Sequence, residues 1–192
     1  MPKSNRSGQA RVLTPEQMEC IWSELDQPYR IATQIAYYTA ARIGEVLSLT
    51  RGDWRDDHLV YRASMTKTKT TRQAAVGRRL GELLRSADLP KDGYLFPSVS
   101  ASGHLTPRAV DKHMRRAAAM CGVEGASTHS FRRSHATHLH RAGVPLRAIQ
   151  RITGHKDLAS LEKYLDIGSA EAFDMQGKVM DELFGGSDNG SV

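Results

Sequence analysis

The sequence predicts a mostly α-helical domain with one small antiparallel β-sheet, and three observations indicate this fold class. Apolar residues recur at helical spacing along most of the 192-residue chain. That spacing is interrupted once, between residues 58 and 76, where strand-like runs flank a polar segment and predict a hairpin. No linker divides the chain, so we expect one domain at residues 13–184, preceded by a flexible basic arm at 1–12 and followed by a disordered tail at 185–192.

Three helices are predicted before the hairpin. The first has a clear start, because Thr14 can cap it, Pro15 suits its first turn and Gln17 completes a capping box. Arg42 lies at the break between the second and third helices, a position that can present its side chain into a cleft. These helices are predicted at about 14–25, 29–40 and 43–49.

The hairpin and the remaining helices follow. Residues 58–63 and 73–76 are predicted as strands, and the segment between them is polar and basic. Thr106 and Pro107 begin a helix by the same capping logic, and Gly122 ends it. The helices after the hairpin are predicted at about 77–87, 107–121, 130–142, 145–153, 158–165 and 170–184.

Charge and composition narrow the classes of function. Hydrophobic residues make up 40% of the chain and charged residues 25%, which is ordinary for a globular protein. The net charge is +6, and this excess favours an acidic polymer as partner, most commonly nucleic acid. A merely basic surface is the alternative. No apolar run approaches the roughly 18–20 residues of a membrane span, so we expect no membrane partner.

Cysteines and histidines do not form a pattern typical of metal or redox sites. Cys20 and Cys121 stand alone in apolar contexts, so we expect reduced thiols in a cytoplasmic, nucleoid-associated protein. His135, His138 and His140 are close in sequence, but on a helix His140 is turned away from the other two. No cysteine or acidic residue stands at ligand spacing from them. We therefore expect no metal and no cofactor.

A candidate site can be assembled from two arginines, two histidines and a tyrosine. One of the arginines is Arg42, at the helix break described above. His129 and Arg132 are three residues apart at a helix start, which places both on one face. The N–H groups and positive dipole end of that helix suit a phosphate. His155 lies at a helix break, nine residues before Tyr164. Each feature alone is weak, since exposed His–Arg pairs and half-buried tyrosines are common.

Taken together, four segments resemble the tyrosine recombinase (phage integrase) family. They match that family in order and in internal spacing over roughly residues 13–164, the part that corresponds to its catalytic domain. The segments are Ala-Arg-Ile-Gly-Glu-Val-Leu-Ser-Leu, Thr-Lys-Thr-Lys-Thr-Thr-Arg, Thr-His-Ser-Phe-Arg-Arg-Ser-His-Ala-Thr-His-Leu and Gly-His-Lys-Asp-Leu-Ala-Ser-Leu-Glu-Lys-Tyr. The resemblance implies site-specific cleavage and rejoining of double-stranded DNA through a 3′-phosphotyrosyl link, by a homotetramer assembled on DNA.

The resemblance also implies roles for individual residues. Two arginines would grip the scissile phosphate, and Tyr164 would attack it. Lys67 would be the general acid, although the Thr-Lys-Thr-Lys repeat leaves Lys69 open, and Glu45 would support the site. The implied catalytic residues are Arg42, Lys67, His129, Arg132, His155 and Tyr164.

The chemistry of these residue types agrees with the implied roles. A tyrosine hydroxyl has a pKa near 10, so it is a poor nucleophile until a neighbour accepts its proton. Guanidinium groups bind nonbridging phosphate oxygens through paired N–H bonds, which a lysine cannot do. A lysine can protonate the leaving 5′ oxygen. Because the phosphotyrosine retains the bond energy, neither ATP nor a pair of metal ions is required.

Basic residues around the hairpin are predicted to contact DNA phosphates. The sequence has no acidic residue between positions 61 and 80. The alternative is an ordinary solvated face, which is the usual meaning of a run of charges. The predicted contacts are Arg62, Lys69, Arg72, Arg78 and Arg79.

Three questions remain open at the level of sequence. The amphipathic helix at 170–184 can dock on a neighbouring subunit, as in this family, or fold back onto its own domain. About a dozen polar residues precede the first helix, which is typical of an excised catalytic domain or of a naturally short recombinase. The alternative functions are a type IB topoisomerase and a non-catalytic DNA-binding regulator with the same fold.

Overall fold

The predicted helices and hairpin are present in the structure, a computed structural model that describes residues 9–162, 164–165 and 169–184, without the side chains of 169–171. The fold is mostly helical with a two-stranded antiparallel sheet, which confirms the predicted fold class. The elements are α1 (Pro15–Ser23), α2 (Tyr29–Tyr38), α3 (Ile43–Leu47), β1 (His58–Tyr61), β2 (Arg72–Ala75), α4 (Arg78–Ser86), α5 (Pro107–Met120), α6 (Thr128–Arg141), α7 (Leu146–Thr153), α8 (Leu158–Glu162) and α9 (Ser169–Phe184).

Local signals set several of the helix ends. The hydroxyl of Thr14 accepts a hydrogen bond from the backbone N–H of Gln17, and the Gln17 side chain accepts one from the N–H of Thr14, at 3.3 and 3.1 Å. Thr106 caps α5 through the N–H of Ala109 at 3.3 Å. α7 ends at Gly154, whose φ of +66° is a left-handed conformation that glycine adopts without steric strain. The chain therefore turns sharply just before His155.

Two apolar cores hold the domain together, and α6 contributes to both. The larger core joins the helices before α6 to the sheet, and in it the rings of Trp22 and Phe131 stack with centroids 5.9 Å apart. The smaller core consists of Ala136, Ile149 and Leu161, from α6, α7 and α8. Because Phe131 belongs to the first and Ala136 to the second, α6 connects the two halves of the molecule.

The sheet is a short hairpin anchored on the larger core. Tyr61 pairs with Arg72. The first strand is two residues shorter than the predicted 58–63, and the second begins and ends one residue before the predicted 73–76. Tyr61 is fully buried, and its hydroxyl lies 2.8 Å from the hydroxyl of Thr39. In the connecting loop, the buried hydroxyl of Thr66 donates to the carbonyl of Thr70 at 3.0 Å. This bond orders the loop beside Lys67.

The expectation of two reduced thiols is wrong, because Cys20 and Cys121 form a disulfide with their Cα atoms 6.0 Å apart. They are separated by 101 positions in sequence. Cys20 lies in α1 and Cys121 directly follows α5, and the packing of these two helices brings the sulfur atoms together. Composition and spacing do not reveal such a long-range contact.

The chain ends are described only in part. Residues 1–8 of the predicted arm and the whole predicted tail at 185–192 lie outside the described residues. Within the arm, the carbonyl of Ala10 accepts a hydrogen bond from Arg133 at 2.6 Å, and the N–H of Arg11 donates to the carbonyl of Gly125 at 3.3 Å. Over the part of the chain that the structure describes, no helix combines the length and apolarity needed to cross a membrane.

Candidate active site

Arg132, on α6, is the most deeply buried residue of the predicted site. Its side chain is 1% exposed. One guanidinium nitrogen, Nη1, donates to the carbonyl of Ala40, and Nη2 donates to Nε2 of His155 at 3.4 Å. Burial, and after it the nearby charge of Arg42, lower the pKa of Arg132 to about 10. Arg132 therefore keeps its charge at neutral pH, in a fixed position.

Arg42 lies at the junction of α2 and α3, as predicted, and Glu45 orients it. Its Nη1 donates to Oε1 of Glu45 at 2.8 Å, while Oε2 of Glu45 accepts the Arg42 backbone N–H at 3.1 Å. Burial alone would raise the pKa of Glu45. Hydrogen bonds from Arg42, with the charges of Arg42 and Arg72, outweigh burial and lower that pKa. The carboxylate thus stays ionised and fixes the guanidinium.

His155 is a neutral imidazole whose hydrogen bonds define its tautomer. Nε2 accepts from Arg132, so the proton is on Nδ1, which donates to the hydroxyl of Thr153 at 2.6 Å. The Thr153 hydroxyl donates in turn to the carbonyl of Ile149 at 2.7 Å. Burial, followed by the charges of Arg132 and Arg42, lowers the pKa of His155 to about 4. An unprotonated nitrogen therefore faces the arginine.

Tyr164 lies directly beside His155 and Arg132. Its ring centroid is 4.7 Å from that of His155, and Cζ of Arg132 is 5.9 Å from the tyrosine ring. Two α6 side chains hold its backbone carbonyl, Arg133 at 3.0 Å and Thr137 at 3.4 Å. Our sequence reasoning missed both. Their spacing of four residues on one predicted helix is the signal that could have indicated a shared partner.

An open cavity of about 920 Å³ brings several predicted residues together. Its lining includes Arg42, Lys67, Arg72 and His155. A neighbouring cavity of about 400 Å³ shares Arg42 and Lys67 and also contains Glu45 and His129. Arg132 and Tyr164 adjoin the larger cavity through their contacts with His155 rather than by lining it.

The two lysines of the hairpin differ in position. Lys67 is exposed and lines both cavities, as Arg42 does. Lys69 is exposed on the same loop with a φ of +56°, and it lines neither of these two cavities. The geometry therefore favours Lys67 over Lys69 for contact with a ligand that fills the cavities.

Four of the five predicted DNA contacts lie on the surface. The side chain of Arg62 is 48% exposed and its Nε is 3.0 Å from Asp53. Arg78 and Arg79 are 93% and 63% exposed, and each has a guanidinium nitrogen 3.9 Å from Glu82. Lys69 is the fourth exposed residue. Arg72 differs, because only 13% of its side chain is exposed and its guanidinium contacts protein groups.

Two further basic residues were not predicted from the sequence. Arg151 and Lys156 line the larger cavity and are exposed. They flank the Gly154–His155 turn in sequence, and this proximity to a predicted site residue is the signal that could have identified them. Their positions extend the basic rim of the cavity beyond the hairpin.

The start of α6 is less open than predicted. The backbone N–H of Thr128 donates to Oδ1 of Asp111 at 3.3 Å, and Asp111 also accepts from Arg115 at 2.6 Å. The expectation of free N–H groups for a phosphate is therefore wrong for this first N–H. His129, the next residue, is exposed and lines the smaller cavity.

The histidines at 135 and 138 have roles in packing. His135 lies edge-on to Tyr37 with ring centroids 5.6 Å apart, and burial lowers its pKa to about 4. The hydroxyl of Tyr37 is 2.9 Å from Nδ1 of His138. Within the described residues, no group of three His, Cys, Asp or Glu side chains is placed to hold a metal ion.

The fold and this constellation define an integrase-type catalytic domain. The comparison with protein families agrees, since the model described as "Phage integrase family" matches residues 11–171. The chain therefore belongs to the phage integrase family.

Curated relatives carry names from the same family. Tyrosine recombinase XerD of Caulobacter vibrioides is 34% identical over 147 residues, which cover 70% of this chain and 48% of that protein. XerD of Rhizobium meliloti is 33% identical over 144 residues, with coverages of 70% and 45%. The chain thus spans about half the length of the curated relatives it matches.

Solved structures show the same fold at low sequence identity. XerA recombinase superposes with a TM-score of 0.69 at 19% identity, covering 93% of this chain and 66% of that one. The catalytic domain of bacteriophage HP1 integrase gives a TM-score of 0.67 at 19% identity, with coverages of 96% and 100%. The post-cleavage complex of XerH recombinase with palindromic difH substrate gives 0.67 at 21% identity, with coverages of 91% and 55%. These likenesses confirm the predicted recombinase catalytic-domain fold.

Proposed function

We propose that this chain is the catalytic domain of a site-specific DNA recombinase that cleaves and rejoins strands through Tyr164. The observation that carries the proposal is the convergence of Arg42, Arg132, His155 and Tyr164 beside a cavity that Lys67 also lines. Membership of the integrase family supports it, as do relatives named tyrosine recombinases. The XerH neighbour, bound to its difH substrate, supports double-stranded DNA as the partner.

In this proposal Arg42 and Arg132 bind the nonbridging oxygens of the scissile phosphate. The two guanidiniums are already oriented, one by Glu45 and the other by the carbonyl of Ala40. Burial, and after it the nearby charge of Arg42, lowers the pKa of Arg132, and a phosphodiester anion between the two guanidiniums would relieve their repulsion. Donors fixed before the reaction stabilise the charge that develops on the phosphate, typically by about 10²–10³ in rate for each donor.

Tyr164 attacks the phosphorus atom, and its phenolic proton must leave as the bond forms. His155 is suited to accept it, because Nε2 is unprotonated and the two rings are 4.7 Å apart. That nitrogen becomes available when Nη2 of Arg132 exchanges its 3.4 Å hydrogen bond to His155 for one to a phosphate oxygen, while Nη1 stays on the carbonyl of Ala40. The bound anion also offsets the two positive charges that lower the pKa of His155, so its basicity rises when DNA is present.

As the bond from Tyr164 to phosphorus forms, the bond from phosphorus to the 5′ oxygen breaks. Lys67 donates a proton to that oxygen, which leaves as a hydroxyl. His129, which lines the smaller cavity with Lys67, contacts the phosphate from that side. In the reverse step a 5′ hydroxyl attacks the phosphotyrosine and restores both the DNA bond and the free tyrosine, without ATP.

The exposed basic residues extend the contact along the DNA backbone. Arg62, Lys69, Arg78 and Arg79 would bind phosphates on the hairpin side, and Arg151 and Lys156 on the opposite rim. Phosphate contacts of this kind give affinity rather than choice of sequence.

We further propose a homotetramer on DNA, assembled through α9. The apolar residues Phe173, Val179 and Leu183 are 72%, 48% and 65% exposed. This exposure supports docking on a second copy rather than burial against the chain's own domain, because isolated helices rarely leave such residues in water.

The test is a covalent protein–DNA adduct, detected by denaturing gel electrophoresis. The protein is mixed with DNA flanking its own gene, including nicked duplexes in which the released strand diffuses away and traps the intermediate. Wild type should form an adduct and Tyr164→Phe should form none. Tyr29→Phe is the matched control, because Tyr29 stacks on His113 and lines neither cavity, and it should react at the wild-type rate.

Two other outcomes would redirect the proposal. Tight DNA binding without an adduct would favour a non-catalytic regulator. An adduct on any sequence, with relaxation of a supercoiled plasmid that lacks the site, would favour a topoisomerase.

A further inference from the structure

The side chain of Arg72 reaches from the hairpin to three other segments of the molecule. Its Nη1 lies 3.3 Å from the carbonyl oxygens of both Thr39 and Ile152, to which it donates. Its Nη2 lies 3.5 Å from Oε2 of Glu45. Thr39 follows α2, Ile152 lies in the last turn of α7 and Glu45 lies in α3. One guanidinium therefore joins β2 to three helices.

The guanidinium is also held against an aromatic ring. Cζ of Arg72 is 4.4 Å from the ring centroid of Tyr61, its cross-strand neighbour. Tyr61 is fully buried, and its hydroxyl is 2.8 Å from the hydroxyl of Thr39. Burial raises the pKa of Tyr61, so the ring stays neutral beside the cation. The edge of the Arg72 guanidinium is thus held by hydrogen bonds, and its face is held by the ring of Tyr61.

Each partner of Arg72 is adjacent to a group proposed to act on the phosphate. Thr39 precedes Ala40, whose carbonyl accepts from Arg132. Ile152 precedes Thr153, whose hydroxyl bonds His155 at 2.6 Å. Glu45 orients Arg42. Arg72 therefore contacts one support directly, Glu45, and the residues that precede the two others, Ala40 and Thr153.

The backbone at Gly154 leaves space for this arrangement. A Cβ atom there would lie 3.2 Å from Cδ of Arg72, which is closer than most such contacts, and the φ of +66° already favours glycine. The end of α7 therefore approaches the Arg72 side chain at a position without a side chain of its own. This close approach places the end of α7, directly before His155, against the hairpin.

We propose that Arg72 is a positioning residue for DNA cleavage, an inference that rests on the proposed recombinase function. It holds α7 and Glu45 against the hairpin, so that His155, Arg42 and Arg132 meet one phosphate. The sequence predicts Arg72 as a DNA contact, but its buried position and three protein partners favour this different role. A lysine cannot replace it, because a single ammonium does not present the planar fork that spans these acceptors.

The first experiment compares variants of two arginines that both bind pairs of backbone carbonyls. Arg72→Lys and Arg72→Met are matched with Arg30→Lys and Arg30→Met. Arg30 donates to the carbonyls of Leu25 and Ser23 at 2.8 and 3.3 Å and lines neither cavity. The readouts are the single-turnover rate of adduct formation at saturating DNA, the Kd for DNA, and the melting temperature of each variant.

Both Arg72 variants should cleave about 10²-fold more slowly, since small displacements of reacting groups have effects of that size. Their Kd should stay within about threefold of wild type, because phosphate contacts dominate affinity. Both Arg30 variants should cleave at the wild-type rate even where their melting temperature falls. Loss of cleavage that follows the melting temperature in all four variants would overturn the proposal, as would a weakened Kd with an unchanged rate.

A second substrate distinguishes effects on the groups around the phosphate from effects on protonation of the leaving group. DNA with sulfur in place of the bridging 5′ oxygen releases a thiolate, which leaves without a proton because thiols are far more acidic than alcohols. This substrate should restore cleavage to Lys67→Ala and should not restore it to Arg72→Lys. Restoration of Arg72→Lys would show that Arg72 acts through Lys67, and would overturn the proposal.

The outcomes distinguish this inference from the proposed function. If wild type forms no adduct with Tyr164, the recombinase proposal fails. If wild type forms the adduct and the Arg72 variants form it equally fast, only the role of Arg72 fails.

Discussion

The buried arginine and the exposed lysine of the site are held in opposite ways. Arg132 is 1% exposed and is fixed by the carbonyl of Ala40 and by His155. Lys67 is exposed on the hairpin loop, where the nearest internal anchor is the buried hydroxyl of Thr66. The guanidinium of Arg132 is therefore held in place in the free protein. The lysine side chain must still lose conformational entropy when the substrate binds.

The chemistry of the two side chains explains this difference. A guanidinium keeps its charge on burial, as Arg132 does with a pKa lowered only to about 10. A buried lysine would lose its proton more readily, because burial disfavours the ammonium form. A general acid has to remain protonated until the leaving oxygen requires the proton. In the proposed mechanism Lys67 is that acid, and its side chain is exposed in the free protein.

The largest expected effect comes from removing the proton donor. Lys67→Ala should slow cleavage by about 10²–10⁴, the usual contribution of a general acid, while the melting temperature stays unchanged because the side chain is exposed. Lys69→Ala should change the rate at saturating DNA by less than about threefold and should weaken DNA binding slightly. Single-turnover cleavage and thermal unfolding measure both. A greater loss of rate in Lys69→Ala would assign the acid to Lys69.

Replacing Arg132 should lower the cleavage rate without lowering the stability of the fold. Arg132→Met should slow cleavage by about 10²–10³. Its free energy of unfolding should not fall, because the charged group is buried near Arg42 and its Nε has no hydrogen-bond partner among the described residues. Replacing buried charges by apolar side chains is often neutral or stabilising. Urea unfolding at neutral pH tests this expectation, and a marked loss of stability would contradict it.

Acid should destabilise the folded protein through two buried histidines. His155 and His135 have folded-state pKa values of about 4, against 6.5 for the unfolded chain. Below pH 6.5 the unfolded state binds more protons, so their contribution to stability is present above pH 6.5 and is lost as the pH falls toward 4. Each contributes at most about 3 kcal/mol.

The measurement is the free energy of unfolding as a function of pH. His135→Gln should flatten the slope between pH 6.5 and 4 and leave the slope above pH 7 as in wild type, which serves as the internal control. His135 is the residue to replace because it packs on Tyr37 and is outside the proposed machinery. An unchanged acid slope in this variant would show that the histidine is not neutral in the folded protein.

Much of the fold could be predicted because its signals are local. The capping box at Thr14, the proline after Thr106 and the glycine after α7 each determine a boundary from adjacent residues. The disulfide between Cys20 and Cys121 could not be predicted, since it depends on how α1 packs against α5. The second helix ends at Tyr38, two residues before the predicted end, and Ala40 then adopts a φ of +51° beneath Arg132.

The candidate site shows the same difference between features with a local sequence signal and features that depend on tertiary packing. Motif spacing predicted Arg42, Lys67 and His155, which line the larger cavity, and Arg132 and Tyr164, which contact His155. Apart from Glu45, it did not predict the residues that hold them, such as Arg133 and Thr137, which bind the backbone carbonyl of Tyr164. It also assigned Arg72 to the DNA surface with its basic neighbours. Whether an arginine points inward depends on tertiary packing, and charge patterning along the chain carries no such information.

The smallest expected effect comes from two exposed arginines that are predicted to contact DNA, Arg78 and Arg79. Arg78 and Arg79 are each 3.9 Å from Glu82, an exposed pairing that contributes little to stability. Arg78→Gln and Arg79→Gln should each weaken DNA binding a few-fold and reduce the salt dependence of binding by about one counterion, without changing the cleavage rate at saturating DNA.

The matched variant is Glu82→Gln, which removes the carboxylate that competes with DNA for both guanidiniums. It should tighten binding slightly at low salt, and the gain should vanish at high salt because exposed charges are screened. Binding measured against salt concentration tests all three variants together. If the arginine variants lower the cleavage rate at saturating DNA, exposed residues also help to position the phosphate. The distinction between buried groups that are fixed before binding and exposed groups that DNA orders would then not hold.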